Sequence, residues 1–429
     1  MRSGVITAGA AALVSAALVA GPTTATAAPT PTPAPTRAAA PTSPSSPTSP
    51  AATASPSPTL PPVTRRLDPA ESIGGPGLAP MDTLLLDAPA GVPAPPAVSD
   101  VAWLIADADT GEILAARNPH APLLPASTLK ALTAIHLLPR IDPAAVLTAT
   151  AAETNAEGTR VGMVAGQAYA AKQLFEALIM SSGNDAAYGL ASLNGGVAKT
   201  VTELNALADE LGAHDTVVVD PSGLDAPGQQ SSAYDLALIG RAAIANPDYV
   251  RIATTKASTF PARAVRGAAR PTYAIGNHNR LLWNYPGTIG VKNGFTKAAH
   301  RTFIGAARRG GKTYIVTEMY GTGSSWRPAA SLLDWAFAHG DKVTPIGRLV
   351  DRGEVPQPPA AAAPDTQQRS GERGDDPATS VAASLTASRG SVTPSLLPLA
   401  GGAALVALLL VTRRRRARPR RASGARRHR

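Results

Sequence analysis

The sequence predicts an α+β fold: one antiparallel sheet completed by both ends of a central segment, with helical layers around it. Strand-like runs cluster at 101–115 and at 289–317, while the interval between them carries apolar residues at helical spacing. Tracts poor in large apolar residues flank the segment on both sides, so residues 98–352 must supply the core, a length near the upper end for one domain.

The elements follow in chain order. Residues 101–105 read as a strand, Asp109-Thr110-Gly111 as a turn, and 112–115 as the hairpin partner. Residues 127–138 read as a helix with Ser127 as its N-cap. Residues 171–180 are apolar at helical spacing, and helical character resumes after Asn184. Further helices are expected over 201–211 and 233–243. Strands are expected over 289–292, 302–307 and 312–317, and a helix over 332–338 closes the domain.

Outside this segment the composition changes. The net charge of +10 would ordinarily point to nucleic acid or an anionic surface. Ten arginines and no acid lie in 413–429, so that tail carries the whole excess and the folded segment is not a basic domain. There is no cysteine, which removes both a disulfide framework and a thiol nucleophile, and is compatible with export. Residues 1–27 read as a secretory signal peptide: Arg2, an apolar run from Val5 to Val19, then Ala25-Thr26-Ala27. Residues 28–97 are expected to be a Pro/Thr/Ser/Ala-rich linker, partly ordered near its end, and 353–395 a second low-complexity linker. Residues 396–412 form a short apolar span before Arg413-Arg414-Arg415-Arg416, the pattern of a membrane anchor with the basic tail 413–429 in the cytoplasm. Leu397-Pro398-Leu399-Ala400-Gly401 resembles a sortase signal with alanine in place of threonine, which leaves covalent wall attachment as an alternative.

Three short motifs carry chemistry. Ser127-Thr128-Leu129-Lys130 is the only Ser-x-x-Lys in the chain. Spacing of three at a helix start puts hydroxyl and amine on one face, and a lysine becomes a base when burial and a second cation lower its pKa. Alone, the motif also fits a capping serine followed by a surface lysine. Ser182-Gly183-Asn184 sits in a break between helical stretches, where Ser182 can relay a proton and Asn184 can hold both a lysine and an amide. Alone, it fits an ordinary interhelical turn. Lys292-Asn293-Gly294, followed by Phe295 and Thr296, ends a strand-like run. There a lysine offers positive potential to a carboxylate and a glycine admits a ligand backbone.

The order Ser-x-x-Lys, Ser-x-Asn, Lys-x-Gly within one segment is that of the β-lactamases and penicillin-binding proteins. Residues 98–340 resemble the low-molecular-mass penicillin-binding proteins of the D-alanyl-D-alanine carboxypeptidase type. The resemblance extends to Leu123-Leu124-Pro125-Ala126, Asp220-Pro221-Ser222-Gly223-Leu224-Asp225, Ser232-Ala233-Tyr234-Asp235 and Asn277-His278-Asn279-Arg280-Leu281. It implies a β-lactamase/D,D-peptidase-like fold and an acyl-enzyme on Ser127, with Lys130 as general base. Ser182 would relay protons, Asn184 position the amide, and Lys292 orient Ser182 and the substrate carboxylate. It further implies an oxyanion hole from the amides of Ser127 and Phe295, with Thr296 and the Asn293-Gly294 segment on the substrate. The implied partners are peptidoglycan stem peptides ending in D-Ala-D-Ala and β-lactams as covalent inhibitors. No metal, cofactor or nucleic acid is implied. Two departures stand out: Asn293 replaces the family's usual threonine, and His300-Arg301 stand where a small residue is usual.

A class A β-lactamase would need Asp at Gly183 and Glu at Val201 of Val201-Thr202-Glu203-Leu204-Asn205, so that reading falls. A D,D-endopeptidase or transpeptidase shares every motif and is separated only by cleft shape. A non-catalytic wall-binding module and a structural stalk are the remaining alternatives. The intact Ser127, Lys130, Ser182, Asn184 and Lys292 argue against the first, and a stalk leaves the central domain unexplained.

Overall fold

The computed structural model describes residues 67–323 and 326–354. Its strands in chain order are β1 (Leu84–Leu85), β2 (Ala102–Asp107), β3 (Glu112–Arg117), β4 (Val146–Thr148), β5 (Ala168–Ala170), β6 (Ala257–Pro261), β7 (Thr272–Gly276), β8 (Thr288–Thr296), β9 (His300–Arg309), β10 (Lys312–Gly321) and β11 (Gly347–Arg348). The helices are α1 (Lys130–Leu137), α2 (Ala151–Thr154), α3 (Ala171–Met180), α4 (Asn184–Leu193), α5 (Val197–Glu210), α6 (Ala233–Ala245), α7 (Pro247–Ala253), α8 (Arg280–Asn284) and α9 (Arg327–His339).

The expected sheet forms. Its order is β1-β3-β2-β10-β9-β8, with β11 also on β3. The two sequence ends meet where β2 runs antiparallel to β10, Ile105 opposite Val316. Side chains alternate across these strands. Leu104, Ala106, Ile304 and Ile315 enter the larger core shared with α1, α3 and α6. Trp103, Ile105, Phe303 and Val316 enter a second core closed by Leu332, Leu333 and Trp335 of α9. Helices therefore cover both faces, which is why β2 is buried at every position.

Several expectations change. The linker assigned to 28–97 does not extend to 97: β1 pairs with β3, Leu78 is buried, and Trp335 Nε1 donates to the carbonyl of Pro93 at 2.8 Å. A few apolar anchors hold this segment without any periodicity to announce it, and packing against the domain is seen from Ser72 and Leu78 onward. At the other end Gly353 N donates to Glu210 O at 2.8 Å. The helix expected from Ser127 divides into a 3-10 turn, Ala126–Leu129, followed by α1, and Ser127 is not a cap. The helix expected at 201 begins at Val197, and the strand expected over 289–292 runs on to Thr296, so the third motif lies inside β8. The small pairs β4–β5 and β6–β7 were not anticipated.

The signal peptide at 1–27, the linker up to residue 66, the linker beyond 354, the anchor at 396–412 and the tail at 413–429 lie outside the described residues. Among the described residues no helix is long and apolar enough to cross a membrane.

Candidate active site

The site is assembled where the turn before α1, the break between α3 and α4, and β8 converge. The turn bearing Ser127 is locked from two sides: the carbonyl of Pro125 accepts from Thr128 Oγ1 at 2.5 Å and from Thr302 Oγ1 of β9 at 2.8 Å. Ala126 just before the nucleophile has φ 47°, in the left-handed region that a β-carbon disfavours. Such a conformation persists only where surrounding contacts hold it.

Lys130 opens α1 and is fully buried. Its Nζ donates to Ser127 Oγ at 2.9 Å, to Asn184 Oδ1 at 2.6 Å and to the carbonyl of Ser222 at 2.6 Å. Burial, and then the nearby Lys292, hold its pKa well below the ordinary lysine value, while Asp220 and Asp185 pull the other way. The spacing argument therefore leads to an amine in contact with the hydroxyl and biased toward its neutral form.

Ser182 also sits at a left-handed φ of 60°. Its Oγ accepts from Lys292 Nζ at 3.2 Å, and among the described residues no direct hydrogen bond joins it to Ser127 or Lys130. Asn184 begins α4; its side-chain amide donates to the carbonyl of Glu157 at 2.6 Å, which fixes the oxygen on Lys130. The adjacent Asp185, also buried, accepts from the backbone amides of Val161, Gly162 and Met163 at 2.8–3.0 Å, tying that loop to the helix start.

Lys292 is buried in β8, and its Nζ also donates to the carbonyl of Asn293 at 2.7 Å. Burial lowers its pKa to about 7. Asn293, Gly294 and Phe295 border a cavity of about 120 Å³ shared with His278, Arg280 and Trp326. Phe295 is 66% exposed at the cleft edge. The hydroxyl of Thr296 donates to Asp225 at 2.9 Å and accepts from Ala299 N at 2.8 Å. Arg301, which stands where a small residue is usual, also lines this cavity and is ion-paired with Asp100 and Glu318.

Gly294 has a steric reason to be glycine. A β-carbon there would lie 2.4 Å from Thr302 Oγ1, 2.8 Å from Ser127 N and 2.9 Å from Thr128 N. The glycine therefore keeps the space beside the Ser127 amide open. Gly294→Ala is expected to slow acylation about a hundredfold with the circular dichroism spectrum unchanged; the rate of labelling by a fluorescent penicillin checks it.

Spacing did not reveal the carbonyl of Ser222, the carboxylate of Asp185 or the brace from Thr302. Backbone carbonyls carry no residue signature, and the segment beginning at Asp220 stood out only through resemblance.

A family model described as D-alanyl-D-alanine carboxypeptidase matches residues 90–321. D-alanyl-D-alanine carboxypeptidase DacB2 of Mycobacterium tuberculosis is 42% identical over 243 residues, covering 55% of this chain and 81% of the relative. DacD of Salmonella typhimurium is 33% identical over 287 residues, covering 63% and 70%. Among solved structures, a D-alanyl-D-alanine carboxypeptidase from Mycobacterium tuberculosis superposes with TM-score 0.57 at 40% identity over 61% of this chain and 99% of its own. A Streptomyces DD-transpeptidase superposes with TM-score 0.54 at 27% identity over 57% and 100%.

Proposed function

This chain belongs to the D-alanyl-D-alanine carboxypeptidase family, and from that premise we propose how its own residues remove the terminal D-alanine of peptidoglycan stem peptides. The observation that carries the reading is the 2.9 Å bond between Lys130 Nζ and Ser127 Oγ, made by a buried amine whose pKa is depressed.

Neutral Lys130 takes the proton of Ser127 as its Oγ attacks the carbonyl of the penultimate D-alanine. The tetrahedral oxyanion forms against the amides of Ser127 and Phe295, beside the space that Gly294 leaves open. As the C–N bond breaks, Ser182 hands its proton to the departing D-alanine amine and takes the one that Lys130 removed from Ser127, so that Lys130 is neutral again and the acyl-enzyme ester remains. Asn184 holds Lys130 and the substrate amide. A water molecule, deprotonated by the same base, then hydrolyses the ester and frees Ser127. Lys292 faces the substrate carboxylate; the arriving negative charge raises its lowered pKa and draws it into the cationic form. β-Lactams enter the same path but leave a stable ester.

The substrate lies outside the cytoplasm, and the signal-like segment 1–27 together with the apolar span and arginine cluster of 396–416 supports an exported domain tethered to the membrane. Wall attachment through Leu397-Pro398-Leu399-Ala400-Gly401 is the alternative anchor.

The test is to incubate the full chain with an acylated Lys-D-Ala-D-Ala tripeptide and with benzylpenicillin. D-Alanine release, and a penicilloyl adduct mapped to the peptide containing Ser127, are expected. A folded protein giving neither product would sink the reading.

A further inference from the structure

Lys130 has a third partner beyond the nucleophile and Asn184, and a carboxylate controls that partner. The carbonyl of Ser222 accepts from Lys130 Nζ at 2.6 Å, while Ser222 itself is gripped by Asp220 Oδ1, through its backbone N–H at 2.7 Å and its hydroxyl at 2.5 Å. The other oxygen of Asp220 accepts the phenol of Tyr188, from α4. We propose that Asp220 is a positioning residue for acylation: it fixes the Ser222 carbonyl on Lys130 and, held by Tyr188, stations a negative charge that governs when Lys130 gives up its proton.

The inference rests on Lys130 being the general base. Around that amine, Lys292 from β8 opposes a proton, while Asp185 from α4 and Asp220 favour one. His278 lies close enough to Lys292 to feel its charge. Asp185 is committed to four backbone amides, those of Val161, Gly162, Met163 and Ala186. Asp220 is instead on a hydrogen-bonded path to Lys130. Burial and Asp220 both keep the Tyr188 phenol protonated, with a smaller push from Glu157, so it remains a donor.

The segment does not need the Asp220 charge to stay in place. Thr133 Oγ1 holds the carbonyl of Pro221 at 2.7 Å, and Gln229 Oε1 accepts from the amides of Val219 and Asp220. Asn205 bonds both the amide and the carbonyl of Val218. A β-carbon at Gly223 would fall 2.0 Å from the carbonyl of Ala126, so this segment also abuts the nucleophile turn.

The experiment follows the rate of fluorescent-penicillin labelling against pH for the full chain, Asp220→Asn and Tyr188→Phe. The acid limb of that profile reports loss of the proton from the base. Asp220→Asn removes the charge and is expected to move the limb down by about one pH unit. Tyr188→Phe keeps the charge, strips its donor, and is expected to move the limb up. If Asp220→Asn does not fold, the direction for Tyr188→Phe decides alone. Limbs that coincide with the wild type, even with a lowered plateau, overturn the proposal, since a merely structural role changes rate without changing pKa. Absence of labelling in the wild type at any pH instead overturns Lys130 and Ser127 as the reacting pair, and this inference with them.

Discussion

Lys130→Met is expected to lower the rate of acylation by a β-lactam at least a thousandfold, within the range for losing a general base that contacts the nucleophile. The argument starts from the serine, whose hydroxyl is a poor nucleophile at neutral pH and needs a base in contact. Lys130 Nζ is 2.9 Å from Ser127 Oγ. The second buried amine, Lys292, bonds Ser182 and the Asn293 carbonyl instead, so it does not substitute. Methionine has similar length and lacks the basic nitrogen, with a thioether sulfur in place of one methylene. It leaves Asn184 Oδ1 and the Ser222 carbonyl without their donor, which costs about 1–3 kcal/mol of stability for each acceptor that no water reaches. Time-resolved labelling with a fluorescent penicillin, beside a circular dichroism spectrum, separates the chemical loss from an unfolding one. A variant acylated within tenfold of the wild type would remove Lys130 from the mechanism and return its hydrogen bonds to a structural role.

The site was legible in the sequence to the extent that its chemistry resides in side chains at fixed spacing. Ser127 and Lys130 are three apart, and the turn into α1 brings them together as the spacing required. The break at Ser182-Gly183 was readable because apolar periodicity stops at Met180, where α3 ends. Its consequence, a left-handed Ser182 facing Lys292, was not, since it depends on a strand more than a hundred residues away. The 3-10 turn at Ala126–Leu129 was read as α-helix because both put residues i and i+3 on one side; the brace from Thr302 to Pro125 that favours the tighter turn is a tertiary contact. Residues 67–97 were assigned to a linker because their anchors are isolated, Leu78 and Leu85 each buried without a repeating pattern. The bond from Thr296 to Asp225 joins β8 to a loop 71 residues away, and no spacing in the sequence announces it.

Arg301→Met is expected to cost about 3–5 kcal/mol of stability near pH 8, the usual penalty for removing one partner of a buried ion cluster. Arg301 lies on β9 next to Thr302, so alternation sends it to the face opposite the nucleophile turn. There it meets Asp100 at 2.7 Å and Glu318 of β10, both buried, under a glycine whose β-carbon would lie 2.0 Å from Asp100 Oδ1. One cation thus faces two carboxyls. Burial, and then the charge of Asp100, raises Glu318 to about 8, and burial raises Asp100 to about 6, in both cases against the pull of Arg301. A carboxyl raised above its unfolded value lends stability fully only below that unfolded value, and loses it as pH rises through the folded one. For this cluster the window runs from about 4 to about 8. Without Arg301 both groups lose their only downward ionic partner and rise further, so the variant's deficit should be largest near pH 8 and shrink toward pH 5, where the folded state holds both protons. Urea unfolding at the two pH values checks this, and an equal deficit at both would show that lost packing, not charge, dominates. The backbone of Arg301 pairs with Phe295 and its side chain helps line the cavity bordered by Asn293 and Gly294, so slower penicillin labelling should accompany the loss of stability.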